Sequence, residues 1–272
     1  MKLKNRKIWF KLIPALFIVQ LLLASCAFNS LFYYPDTDPV SPATEGEDIY
    51  LSWNEKDTFH GIFYPAEKAI ASIYLLHGNA GNLEGWKGTA KIFRKAGYNV
   101  FIIDYPGFGN SDGKPRHNSV IRAAQVGLDY FVGRAEVAPT KKIILGMSLG
   151  GNLAVKTGTD NQDKIDAMVL EGPFSSHRTV GMTHVAKPLR PIAFYMVRNR
   201  IKGEHIIKKW KKPLLIIHSA EDQVCLYKMG KVLYEKSPSE HKELWTIEGK
   251  HLQGLNLHRE EYLKKVKQLI TY

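Results

Sequence analysis

Cysteine is almost absent from this chain: its 272 residues carry two, Cys26 and Cys225. Cys26 closes an export-like segment, so the domain beyond it holds a single thiol and can form no internal disulfide; its stability must come from packing. Cys225 is expected as a small buried hydrophobe rather than a reactive thiol. There is no H-E-x-x-H, no paired C-x-x-C and no carboxylate cluster, so no metal or cofactor is expected. Internal repeats and low-complexity tracts are missing as well. With 44% apolar residues the chain has the composition of one large α/β domain, or two small ones, and not of a disordered protein. A full-length membrane-spanning run is also lacking: the apolar stretch 12–24, interrupted by Pro14 and Gln20, is shorter than the roughly 20 residues a spanning helix uses.

What that stretch does provide is an export signal. Lys2, Lys4, Arg6, Lys7 and Lys11 form a basic leader to the apolar 12–24, the order found in secretory signals. It ends in Leu23-Ala24-Ser25-Cys26, which resembles the bacterial lipobox, where a lipid is attached to the cysteine and the peptide is cut just before it. The resemblance implies a signal peptide over 1–25, an acylated Cys26 as the mature N-terminus and a lipidated N-terminus and linker over 26–47, with the folded domain over 48–272. Several acyl chains together give stable membrane attachment where one would be marginal. Ala27 is a residue that does not retain such a protein in the inner membrane. An uncleaved anchor over 8–28 and an ordinary signal with an incidental Cys26 are the alternatives; all three export the domain, to a cell envelope on the periplasmic side or the cell surface.

Acidic residues are scarce in one place. Between Arg178 and Lys212 there are ten lysines and arginines against Glu204 alone, in a chain whose net charge is +12, or +7 without the five cations of the leader. A basic face there could attract anionic lipid headgroups or acidic substrates, or be a solvated surface. Export, and the absence of a basic stripe interleaved with stacking aromatics, argue against a nucleic-acid partner. The oligomeric state leaves no signature.

Along the chain, 36–47 reads as a linker rich in Pro, Thr, Ser and acids. Segments 48–53 and 58–64 read as a hairpin across Asn54-Glu55-Lys56-Asp57. Thereafter strands (73–76, 99–104, 142–145, 167–170, 214–217, 243–247) alternate with helices (84–96, 118–134, 151–156, 227–236, 258–270). In the second helix Ile121, Ala124, Leu128 and Phe131 or Val132 have the spacing of an inward stripe. Continuous apolar strands separated by helices specify a mainly parallel central sheet with helices on both faces, an α/β fold. The connection 174–212 is far longer than an ordinary loop; apolar in 191–197, it reads as a lid inserted between late strands.

Gly146-Met147-Ser148-Leu149-Gly150 sits between the apolar run 142–145 and a helix-compatible stretch. Strand, sharp turn and helix are the context of a nucleophile elbow, which presents a serine hydroxyl at the sheet edge, backed by a helix N-terminus. A serine needs a base, and the base an orienting acid. The strand 214–217 runs into Asp222 and the strand 243–247 into His251, which gives the order serine, acid, histidine. Glu171, at the end of the preceding strand, is the alternative acid. His77 and His218 are expected to brace loops, and Asp104 and Asp112 to serve Asx bonds within a Gly-rich turn. An oxyanion needs backbone donors: the amide of Leu149, and a second from the turn after the first long strand.

The set HGNAGN from His77, DYPGFGNSDG from Asp104, GMSLGG from Gly146, EGPF from Glu171, IIHSAEDQV from Ile216 and GKH from Gly249 resembles the α/β-hydrolase superfamily, in its branch of monoglyceride-lipase-like and serine-aminopeptidase-like proteins. The resemblance runs from about Trp53 to the C-terminus. It implies Ser148 as nucleophile, His251 as base, Asp222 as acid, and the amides of Asn79 and Leu149 as oxyanion donors. Ser219 and Cys225 depart from the common pattern of glycine and proline. The expected activity is cleavage of a small-molecule ester or related acyl bond, without a cofactor. The alternatives are a peptidase or amidase of the same fold and a non-catalytic envelope lipoprotein.

Overall fold

The structure, a computed structural model, describes residues 32–183 and 185–272. The proposed signal peptide and the lipidation site Cys26 lie outside the described residues. No helix among the described residues is long and apolar enough to cross a membrane.

In chain order the strands and α-helices are β1 (Tyr34–Pro35), β2 (Glu47–Ser52), β3 (Thr58–Tyr64), β4 (Ala71–Leu76), β5 (Ala80–Gly81), α1 (Leu83–Lys95), β6 (Tyr98–Ile103), α2 (His117–Gly133), β7 (Lys142–Met147), α3 (Leu149–Asp160), β8 (Ala167–Glu171), α4 (His177–Thr183), α5 (Arg190–Met196), α6 (Gly203–Ile206), β9 (Leu214–Ser219), α7 (Tyr227–Lys236), β10 (Lys242–Ile247), α8 (Gly254–Leu257) and α9 (Arg259–Leu269). Eight strands form one sheet in the order β10-β9-β8-β7-β4-β6-β3-β2. From β10 to β6 they are parallel; β3 is antiparallel to β6, and β2 to β3. The mainly parallel α/β architecture read from the sequence is the one observed.

Both faces are covered because the central strands carry consecutive apolar residues through their middles, such as Ile73–Leu76, Val100–Ile103 and Ile143–Leu145. In β7, Ile144 faces the core shared with Tyr74, Leu76 and Leu170, where Leu128 of α2, Leu153 of α3 and Leu233 of α7 pack. Its neighbours Ile143 and Leu145 face the other core, with Phe93 of α1 and Tyr262 and Val266 of α9. Alternate residues of one strand thus serve opposite layers, each buried aliphatic contributing about 1.5–3 kcal/mol. In parallel register, Leu76 lies beside Gly146, Met147 beside Glu171, Glu171 beside Ile217 and Ile247 beside Ser219. The loops leaving β4, β7, β8, β9 and β10 therefore converge at one edge of the sheet.

Two features depart from the sequence reading. The segment 36–47 does not hang as a free tether. It follows β1, which lies parallel to β5; Asp36 N–H donates to Gly81 O at 3.1 Å, and Ser41 donates from its amide and hydroxyl to Glu84 at 2.8 and 2.7 Å, while Lys87 Nζ donates to Ser41 O at 2.6 Å. The inward face of α2 keeps Ala124, Leu128 and Phe131 of the expected stripe but adds Val120, Ala123 and Gly127, and leaves Ile121 half-buried. A buried tyrosine lies beneath it. The Tyr74 hydroxyl donates to Ala124 O at 2.9 Å, and the helix lies so close that a Cβ on Gly127 would stand 2.3 Å from that hydroxyl.

Gly127→Ala is therefore expected to destabilise the fold by about 1–3 kcal/mol through overpacking, although a helical glycine-to-alanine change normally stabilises by about 1 kcal/mol. In a Tyr74→Phe background the loss should shrink. Urea midpoints of the four proteins check this, and a stabilised single variant would contradict it.

Candidate active site

Ser148 occupies the turn between β7 and α3 with φ 54° and ψ −113°, a conformation of order 1–3 kcal/mol above the ordinary wells for a non-glycine residue. The positive φ falls on the serine itself; the flanking glycines serve close approach. A Cβ on Gly150 would meet Leu76 O at 1.9 Å, and one on Gly146 would meet Gly150 O at 2.2 Å. The turn is thus clamped against the end of β4. Ser148 N–H donates to Glu171 O at 2.9 Å, tying it to β8 as well. The hydroxyl sits at the N-terminus of α3, where the amide dipoles favour developing negative charge.

The loops after β9 and β10 bring the two partners. Asp222 Oδ1 accepts from the amides of Val224 and Cys225, both at 2.8 Å, leaving Oδ2 at 2.6 Å from His251 Nδ1. His251 Nε2 lies 2.9 Å from Ser148 Oγ. Burial would raise the Asp222 carboxyl, but hydrogen bonds from His218 and His251 outweigh it and hold the group well below the usual carboxylate range. An ionised carboxylate only accepts, so Nδ1 carries the proton and Nε2 is left to accept from the serine hydroxyl. The imidazole is held by shape as well. Gly172, at φ 54°, lies under it so closely that a Cβ would be 2.9 Å from Cε1, and Leu252 beside it is at φ 57°. Such an array can deprotonate Oγ as it attacks an electrophilic carbon and return the proton to a leaving group.

Asn79, Ser148 and Leu149 line one cavity of about 590 Å³, whose walls are otherwise mostly apolar: Phe32, Tyr34, Phe174, Val180, Val185 and Val224 among them. Residue 79 is pinned from outside, where Tyr34 N–H donates to its carbonyl at 2.8 Å. Among the described residues no group of three or more His, Cys, Asp or Glu could hold a metal ion.

The sequence model of the family described as serine aminopeptidase, S33, matches residues 67–204. The chain belongs to this α/β-hydrolase family. It is similar to the uncharacterized protein YfhR of Salmonella typhi, at 28% identity over 92% of this chain and 91% of that one. Among solved structures, the Pyrococcus furiosus esterase Pf2001 superposes with a TM-score of 0.70 at 17% identity, covering 88% of this chain and 97% of its own. Est1E of Butyrivibrio proteoclasticus with ferulic acid bound gives 0.66 at 18%, over 82% and 98%. At these identities the two structures share the fold.

Sequence reasoning about this S33-family hydrolase missed several residues around the site. His77 and His218 do brace loops: His218 Nε2–H donates to Cys225 O at 2.6 Å, and His77 Nε2 is 3.2 Å from Asp104 Oδ1. The carboxylates of Asp104 and Asp112, expected to bond within their own turn, reach across it instead, Asp104 to His77 and the Leu83 amide and Asp112 to Thr58. Cys225 holds the acid loop through both backbone groups, and its Sγ lies 3.9 Å from Ser148 Oγ. Burial, then the Asp222 charge, push its thiol up to about 12, so it is neutral. His117 and His177 pair inside the domain with ring centroids 4.2 Å apart, and Tyr33 reaches His117 Nδ1 at 2.6 Å. Burial and then Arg200 push His117 down to about 4.

Glu171 is not the carboxylate that meets His251. It is fully buried and accepts the Gly254 amide at 2.9 Å, anchoring the chain just beyond His251. Burial raises its carboxyl from 4.5 to about 7, against the hydrogen bond from the Gly254 amide. A carboxyl raised in the folded state binds a proton that the unfolded chain has already lost, so its contribution weakens as pH rises between about 4.5 and about 7. Glu171→Gln removes that titration. Its stability relative to wild type should rise across the window, by at most about 3 kcal/mol. Urea unfolding at several pH values checks the slope; a pH-independent difference would contradict it.

Proposed function

We propose that the chain is an exported serine hydrolase that cleaves a carboxylic ester, or a related acyl bond, through an acyl-enzyme on Ser148. The observation that carries this is the unbroken series from Ser148 Oγ to His251 Nε2, 2.9 Å, and from His251 Nδ1 to Asp222 Oδ2, 2.6 Å. Ser148 attacks the acyl carbon while His251 takes its proton. Asp222 stabilises the imidazolium, and the amides of Asn79 and Leu149 receive the oxyanion. His251 then protonates the departing alcohol, and a water activated by the same imidazole releases the acid.

The apolar walls beside Ser148 favour a substrate with an apolar acyl or alcohol portion. The esterase neighbours, one with ferulic acid bound, support an ester. The family description points to a second reading, an aminopeptidase. Such an enzyme must hold a cationic α-amine, and among the described residues the cavity lining carries no carboxylate, which favours the ester. The basic leader, the apolar run and the Leu-Ala-Ser-Cys sequence support a lipid anchor at Cys26, holding the domain on a bacterial envelope membrane.

Ser148→Ala should lower kcat for p-nitrophenyl esters by about 10⁴–10⁶-fold and Asp222→Asn by about 10⁴-fold, with circular dichroism unchanged. A Ser148→Ala protein that retains full turnover would overturn the assignment. Cys26→Ser should abolish incorporation of labelled palmitate in cells; undiminished labelling would remove the anchor.

A further inference from the structure

A second cavity lies on the other side of α4 from the one at Ser148. It measures about 610 Å³, and its lining includes Arg178, Arg190, Lys202 and Lys228, with Glu204 the only acid among the described residues there. Arg190, Lys202 and Lys228 are solvent-exposed. The Arg178 guanidinium is stacked 4.2 Å above the Phe194 ring, and its buried Nε has no hydrogen-bond partner among the described residues. With Glu204 counted, the four cations still leave the cavity net positive, which favours a further anion there.

Beside this cavity the cap exposes apolar side chains in sequence order. Leu189 and Ile192 are each 56% exposed, Phe194 45% and Tyr195 84%. Singly such residues need no explanation; four within seven positions, bordering a cationic cavity, make an amphipathic patch. Its surroundings have one sign: ten cations against Glu204 over 178–212. A second copy of the same face would be repelled. A surface that presents anionic groups at its rim and hydrocarbon beneath matches both halves of the patch.

The start of the described chain points the same way. Phe32 packs against α4, so close that a Cβ on Gly181 would lie 3.1 Å from its ring. Phe32 thus lies at the cap, on the side of α4 that faces the Ser148 cavity, so an N-terminus held in a bilayer would keep the cap near the membrane.

We propose that the outer face of the cap docks on an anionic phospholipid surface, with headgroup phosphates taken into the cavity of Arg178, Arg190, Lys202 and Lys228 and with Leu189, Ile192, Phe194 and Tyr195 entering the acyl boundary. The orientation rests on the proposed N-terminal anchor; the binding chemistry does not. A neutral, phosphatidylcholine surface offers no net charge to the four cations, so docking discriminates between lipids.

The test is hydrogen exchange of the full-length protein with phosphatidylcholine vesicles, with and without phosphatidylglycerol, combined with flotation. Exchange over 186–200 should slow several-fold only with phosphatidylglycerol, and recover in high salt and in the variant Arg178→Gln, Arg190→Gln, Lys202→Gln, Lys228→Gln. Exchange in the central strands of that variant should match wild type. Equal slowing by inorganic phosphate alone would make the cavity a free-anion site and overturn the docking. Flotation with both vesicle types but no change at 186–200 would also overturn it while leaving the anchor standing. Flotation and slowing confined to phosphatidylglycerol vesicles would uphold docking and remove the anchor.

Discussion

Gly150 lies on the carbonyls of Leu76 and His77, where a Cβ would come within 1.9 and 2.7 Å, and the rest of the site depends on that contact. It forces the turn after β7 against the turn after β4, so that the nucleophile and both candidate oxyanion donors border one cavity. It also holds Ser148 in its high-energy backbone conformation, which would otherwise relax by moving the turn away from β4. The ties to Glu171 O on one side and to Leu76 and His77 on the other over-determine the position, as a strained residue requires.

The candidate catalytic partners are positioned by the same logic at longer range. Asp222 is not merely near His251; one oxygen is occupied by two amides so that the other faces the imidazole. Gly172 and Leu252, both at positive φ, bring backbone under and behind the ring. Glu171 joins these systems, its carbonyl on the serine amide and its carboxylate on the Gly254 amide. A serine on one strand, an acid on a second and a histidine on a third are thereby kept within hydrogen-bond reach, which reaction geometry demands.

Much of this was legible in the sequence where local chemistry decides. A serine between an apolar strand and a helix, with glycines at both sides, admits few conformations, and the order serine, acid, histidine follows from strands that end in loops. The parallel sheet was readable because strands buried on both faces carry no polar alternation. What long-range contact decides was not readable. The close contact of α2 with Tyr74 joins residues fifty apart, Tyr74 and Ala124. The pairing of β1 with β5 joins two-residue segments too short to have a pattern. The bonds of Asp104 to His77 and Leu83 cross between loops, and nothing in its own turn distinguishes them from an Asx turn. Cys225 is buried, as its residue type suggests; its hold on the acid loop runs through backbone groups, which no residue type announces.

The claim on which the account rests is that Ser148 becomes covalently acylated. Rapid quench of the full-length protein with a slowly hydrolysed ester, followed by peptide mass spectrometry, tests it most directly. The account predicts a mass increase equal to the acyl group on the peptide containing Ser148, formed before steady state and lost as product appears. Turnover with no adduct, or an adduct on another residue that forms and decays at the catalytic rate, would contradict it.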